Sequence, residues 1–134
     1  MSAQGLILFA HGSRDARWSE PLFAVRDLCA ARATAAAPLT IEVAFLEFQE
    51  PTLEMAAQRL IEAHCEQIVV IPMFLGQGGH VRNDLPRLIA ALQHTAAGQR
   101  LRLAPSIGES AAVLEALCDY CIAELQPGTD HAVR

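Results

Sequence analysis

The chain has 134 residues, 52% of them hydrophobic and few of them aromatic, with ten arginines, no lysine and a net charge of -5. That length suits one domain, residues 1–134, able to bury roughly two thirds of its unfolded surface. An acidic chain with no basic cluster is a poor candidate for nucleic acid, and no apolar run approaches the ~18 residues of a membrane span. The opening Met1-Ser2-Ala3-Gln4-Gly5 has no basic region before its short apolar segment, so a cytoplasmic protein without a signal sequence is expected. Cys29, Cys65, Cys118 and Cys121 are scattered over predicted elements, which argues for free thiols and not for a disulfide framework.

The predicted elements alternate in type. Gly5 to Ala10 (GLILFA) reads as a short apolar strand ending at His11-Gly12-Ser13-Arg14-Asp15. A helix is expected from Ser19 as N-cap, with Pro21 in its first turn and Leu22, Val25, Leu28 and Cys29 at helical spacing. Leu39 to Leu46 is a second strand, followed by Glu47-Phe48-Gln49-Glu50. The next helix starts either with Thr52 as cap or with Pro51 at its first position, and runs to about Cys65.

Ile68 to Leu75 is almost unbroken apolar sequence rich in β-branched residues, the signature of a strand buried on both faces. It breaks into Gly76-Gln77-Gly78-Gly79 and delivers His80. A third helix is expected over Arg82 to His94, with Pro86 tolerable only near the first turn. Leu101 to Leu103 is a short fourth strand. The last helix runs from Glu109 to Leu125, capped by Ser106 or Gly108, and Pro127-Gly128 stops it. Residues 128–134 look like a frayed tail.

Four strands alternating with four helices predict a parallel sheet covered on both faces. Ligands then bind beyond the carboxyl ends of the strands. Three of those ends carry ionisable groups: His11, Glu47 with Glu50, and His80. Two imidazoles and a carboxylate suit a divalent iron, cobalt, nickel or zinc ion and leave coordination positions open. The bland readings are a satisfied loop histidine at position 11 and, for the two glutamates, an acidic pair favoured by a helix dipole. Cys118-x-x-Cys121 has no second pair to complete a zinc site and reads as core or interface thiols. His64 and His94 carry no assigned role.

HGSRD after the first strand, FLEFQEP after the second and VVIPMFLGQGGHVRNDLP after the third resemble the sirohydrochlorin chelatases of the CbiX/SirB type, over about Leu6 to Ser106. The resemblance implies a three-layer α/β/α, chelatase-like (flavodoxin-like) half with a four-stranded parallel sheet. It implies a lyase-type enzyme that inserts a divalent metal, cobalt foremost and iron or nickel as alternatives, into a tetrapyrrole of the cobalamin or sirohaem route. The metal is then substrate, and no tightly bound cofactor is expected.

The short single-half form implies a homodimer. His11 and His80 match the family's metal histidines, and Glu47 its acidic metal position. Glu50 and the loop Leu75-Gly76-Gln77-Gly78-Gly79 match positions against the macrocycle, with Ser13 and Arg14 at the mouth; Arg17 and Arg82 lie near enough to meet substrate carboxylates. One imidazole lone pair cannot hold a metal and take a pyrrole proton together, so the second histidine or a glutamate is expected to share the work. Two other classes remain open: a metal- or tetrapyrrole-carrying module without turnover, and a phosphoryl-transfer enzyme using His11. The second would want an arginine before the histidine, where Ala10 stands.

Overall fold

The computed structural model describes residues 3–76, 78–95, 97–126 and 128, with only the backbone described at His80, Ala97 and Gln99. Four strands, β1 (Ala3–Ala10), β2 (Leu39–Phe45), β3 (Cys65–Pro72) and β4 (Leu101–Leu103), alternate with four helices, α1 (Glu20–Ala30), α2 (Leu53–Glu62), α3 (Gly79–Gln93) and α4 (Ala111–Ala123). The sheet is all parallel, in the order β2-β1-β3-β4. Expected fold class and strand count are both found. In this order the chain leaves β1 to one side for β2, then crosses back through α2 to β3 on the other side of β1, so the crevice for a ligand opens where those connections diverge.

The central strands are apolar on both faces because both are buried. Ile7, Phe9, Ala44, Ile68, Val70 and Leu101 point to one side, into a core closed by Leu53, Ala56, Ala57 and Leu60 of α2 and Leu85 and Ile89 of α3. Leu8, Ala10, Val43 and Phe45 point to the other, where Leu22, Phe23 and Val25 of α1 cover them. The period-2 alternation of a strand divides each run between the two cores. Cys65 is buried in the first core, and burial pushes its thiol up. Cys118 and Cys121 are exposed, which corrects the core reading of that pair.

Several element boundaries differ from the expectation, each for a local reason. β3 starts three residues before Ile68, because His64 adopts φ 63 and turns the chain sharply out of α2. It ends at Pro72 instead of Leu75: Pro72 opposite Phe9 is the last pair with β1, and the Met73 amide makes one more bond, to the Phe9 carbonyl at 2.7 Å. Met73 and Phe74 then leave the sheet, and the Gly108 amide donates to the Phe74 carbonyl at 3.0 Å. Helix α3 begins at Gly79, not Arg82, so His80 lies in its first turn and Pro86 in its interior. An interior proline costs roughly 3 kcal/mol, offset here by burial of Leu85 and Ile89 on either side.

Ser19 does not cap α1 with its side chain, which donates to the Ala16 carbonyl at 2.9 Å. Thr52 does cap α2, accepting from the Met55 amide. Ser106 caps only a short turn over Ile107–Glu109, and Ser110 starts α4. That helix enters neither core, and every residue in it except Val113 is exposed. Residues 129–134, most of the expected tail, lie outside the described residues.

Leu60 is 1% exposed in the centre of the larger core. Its truncation to alanine leaves a cavity under β3 and is expected to cost about 2–5 kcal/mol, against about 1 kcal/mol for Thr52→Ala at the α2 cap. Urea unfolding of the two variants checks the difference; equal losses would mean that the core is not centred on this face.

Candidate active site at the carboxyl edge of the sheet

The loops after β1 and β2 are joined to each other. The Leu46 amide donates to the Ala10 carbonyl at 2.9 Å and the Glu47 amide to the His11 carbonyl at 3.0 Å, so the ladder runs past the last strand residues. Gly12 has φ 96, and a Cβ there would lie 1.9 Å from the Glu47 carbonyl oxygen. Only glycine fits that approach. Further on, the Ser13 amide donates to Gln49 Oε1 at 3.0 Å, and Gln49 Nε2 donates to Ser19 Oγ at 3.2 Å.

This stitching sets two ionisable side chains face to face. His11 Nε2 lies 2.9 Å from Glu47 Oε1, both about half exposed. A carboxylate accepting from an imidazole N–H fixes the ring's orientation and tautomer. Metal-binding histidines commonly have such a partner. His11 and Glu47, two of the expected site residues, are therefore in direct contact, at the open rim and not in the core.

His80 arrives from the other side of the crevice. Six residues, 73–78, separate the end of β3 from α3, and His80 is the second residue of that helix, not a loop residue. Its neighbour Val81 helps line a cavity of 200 Å³ with Phe9, Leu46, Asp84, Leu85 and Leu88. Phe9 lies two residues before His11, and Leu46 one before Glu47. Chain positions within two residues of all three expected metal residues thus border one mostly apolar hollow.

The other expected positions divide. Ser13 is half-buried and committed to the loop: its amide bonds Gln49 and its Oγ accepts from the Asp15 amide at 3.1 Å. Arg14 lays its guanidinium over the Phe48 ring, 5.0 Å from the centroid. Arg17 is exposed, with Nε 3.8 Å from Asp15 Oδ1. Glu50 is exposed at the end of the second loop. Leu75 and Gly76, Gly78 and Gly79 are exposed as well, while Gln77 lies outside the described residues.

A Cβ at Gly76, Gly78 or Gly79 would meet nothing within 4 Å, and none of the three has a positive φ. Among the described residues nothing demands glycine at these three positions. Arg82 lines a second cavity, of 510 Å³, with Glu109, Ser106 and Pro105 among its walls.

Sequence reasoning missed Phe48 and Gln49. Gln49 is the bridge between the first loop and Ser19, a role that only the folded loops create. Phe48 had one visible signal, an aromatic residue set between glutamates just past a strand.

The family profile CbiX matches residues 5–123. The sirohydrochlorin cobaltochelatase of Methanocaldococcus jannaschii is 33% identical over 90 residues, covering 67% of this chain and 61% of that one. The enzyme of the same name from Sulfolobus acidocaldarius is 30% identical over 113 residues, covering 84% and 85%. Among solved structures, the CbiX protein of Marinobacter aquaeolei VT8 superposes with a TM-score of 0.77 at 33% identity, covering 91% of this chain and 97% of that one. The sirohydrochlorin chelatase SirB of Bacillus subtilis subspecies spizizenii, in complex with cobalt, gives 0.71 at 28% identity, covering 92% of this chain. This chain spans only 52% of SirB, and less than two thirds of the Methanocaldococcus protein. A profile matched from the first strand to the last helix, and a sheet shared with these structures, place the chain in the CbiX family.

Proposed function

We propose that this protein is a cytoplasmic sirohydrochlorin chelatase, inserting a divalent metal into the tetrapyrrole, with cobalt favoured over iron and nickel. The observation that carries the proposal is the His11–Glu47 contact of 2.9 Å, in loops whose nearby residues Phe9 and Leu46 line a hollow with Val81, the neighbour of His80. The relatives named as cobaltochelatases, and the cobalt complex of SirB, support the choice of metal. Four free cysteines suit a reducing compartment, and no described helix is long and apolar enough to cross a membrane.

The residues suit the two tasks of the reaction. The metal must shed water and pass to the ring nitrogens, and the pyrrole N–H protons must leave. Open nitrogen and oxygen ligands on a solvent-facing rim hold a divalent ion without enclosing it. In this reading His11, Glu47 and His80 receive the ion, and whichever basic atoms it leaves free accept the protons. The exposed glycines at 76, 78 and 79 then offer backbone without side chains to the flat macrocycle. Ser13 shapes the first loop, and Glu50 and Leu75 lie on the two loops that frame the ring. Arg14 and Arg17 place positive charge where substrate carboxylates approach an otherwise acidic chain.

Insertion is followed through the visible spectrum of metal-free sirohydrochlorin mixed with Co²⁺, Ni²⁺ or Fe²⁺. The protein is expected to accelerate insertion over the uncatalysed reaction, fastest with Co²⁺. His11→Ala and His80→Ala should each lower the rate by about 10²–10⁴-fold, and Glu47→Gln by about 10–100-fold, with unchanged circular dichroism. Binding without acceleration would instead make the protein a carrier, and near-full activity of either histidine variant would refute the site.

The working unit in this proposal is a homodimer, and α4 supplies the contact. Leu114, Leu117, Tyr120 and Ile122 are all exposed, Tyr120 at 62%. So apolar a helix standing outside both cores is matched by Val69 and Ile71 of β3, only half-buried on the sheet face that α1 leaves open. Three carboxylates on or beside the helix, Glu115, Asp119 and Glu124, complement the exposed Arg102 of β4 on that face. A second copy meets both needs. Light scattering should give twice the chain mass for the wild type and the chain mass for a Leu114→Asp/Leu117→Asp double variant. A monomeric wild type would exclude the dimer.

A further inference from the structure

Phe48 is held in an unfavourable backbone conformation that its own packing does not offset. Its φ is 70, a region that bulky L residues rarely adopt and that costs of order 1–3 kcal/mol. Its ring is 54% exposed, so core packing does not compensate. The cause of the conformation lies in its neighbours. Glu47 is tied to His11 through both backbone and side chain, at 3.0 and 2.9 Å. Gln49 is tied to Ser13 and Ser19, at 3.0 and 3.2 Å.

With both flanking residues drawn into the first loop, the residue between them is thrust outward. Glycine or asparagine would suit that backbone, yet the residue present is an aromatic one. Arg14, from the first loop, lays its guanidinium over one face of the ring, 5.0 Å from the centroid, and so holds a cation against it while the residue stays more than half exposed.

An apolar aromatic surface with a guanidinium beside it complements one ligand chemistry closely: a flat conjugated ring that carries carboxylates on its edge. We propose that Phe48 is a specificity-determining residue, on which the macrocycle rests while Arg14 takes one of its peripheral carboxylates. The inference rests on the chelatase reading above and extends it to a residue outside the metal ligands. Conformational strain at Phe48 is then what the protein accepts in order to present a π surface one residue from Glu47. Stacking against such a surface is worth enough to set tetrapyrrole affinity without touching metal affinity.

The test separates the two ligands. Tetrapyrrole binding is read from quenching of the lone Trp18 by metal-free sirohydrochlorin, and cobalt binding from calorimetry with Co²⁺ alone. Phe48→Gly is expected to weaken tetrapyrrole binding, and to raise its KM, by about tenfold, leaving Co²⁺ affinity and the KM for Co²⁺ as in the wild type. Because glycine relieves the backbone, its thermal midpoint should not fall. Phe48→Tyr should restore tetrapyrrole binding and Phe48→Leu should not, which keeps the test sound if the glycine variant folds poorly. Wild-type tetrapyrrole affinity in Phe48→Leu or Phe48→Gly, or a parallel rise in both KM values, would overturn the role of Phe48 while the chelatase reading stood. A wild-type protein that neither binds nor metallates sirohydrochlorin would remove both.

Discussion

The site depends on how closely the loop after β1 approaches the loop after β2. Two backbone hydrogen bonds carry the sheet's ladder past its last residues, to His11 and Glu47, and Gly12 lets the chains touch where any side chain would collide. From that approach follow the imidazole–carboxylate contact, the burial of Gly12 and the bridge through Gln49 to Ser19. It also sets the backbone of Phe48. A site on loops is usually less well defined than one on strands. Here the loops behave as an extension of the sheet, so the donor atoms are positioned by the same hydrogen bonds that order the core.

The sheet order gives this loop pair its partner. Placing β1 between β2 and β3 puts the connection through α1 on one face and those through α2 and α3 on the other, opening a crevice above the central strands. Helix α3 enters that crevice with its first turn, where His80 lies, and seals its base with Val81, Leu85 and Leu88 against Phe9 and Leu46. The hollow is mostly apolar, and the His11–Glu47 pair lies in the loops just beyond Phe9 and Leu46. Under the proposed function, apolar walls with ligands nearby suit a flat hydrophobic ring that receives a metal at its centre.

Under the proposed function, an acidic chain must concentrate its positive charge where a polycarboxylate would bind. The arginines of the first loop, Arg14 and Arg17, are both exposed at the rim, while others serve structure: Arg59 pairs with Glu42 at 2.9 Å and Arg100 bonds the Cys65 carbonyl at 3.2 Å. Helix α4 stands in contrast to this economy. A long apolar helix left outside both cores is stable in water only with something to cover it, and the half-open face of β3 and β4 has the matching deficit.

Much of this was legible in the residues themselves. Apolar runs at Gly5–Ala10 and Ile68–Leu75 announce buried strands, and the polar residues just beyond them mark the functional edge, because side-chain burial and strand period are local properties. The Thr52 cap was one of the two starts that the sequence offered for α2, and the fold chose it. What the linear order does not contain is register. Which residue of β3 faces Phe9 moved the end of that strand from Leu75 to Pro72, and where the first turn of α3 closes carried Pro86 into a helix interior. The pairing of His11 with Glu47, the bridge made by Gln49 and the outward ring of Phe48 all arise from one contact between two loops far apart in sequence. Their cause is a backbone distance, and only the folded sheet sets it.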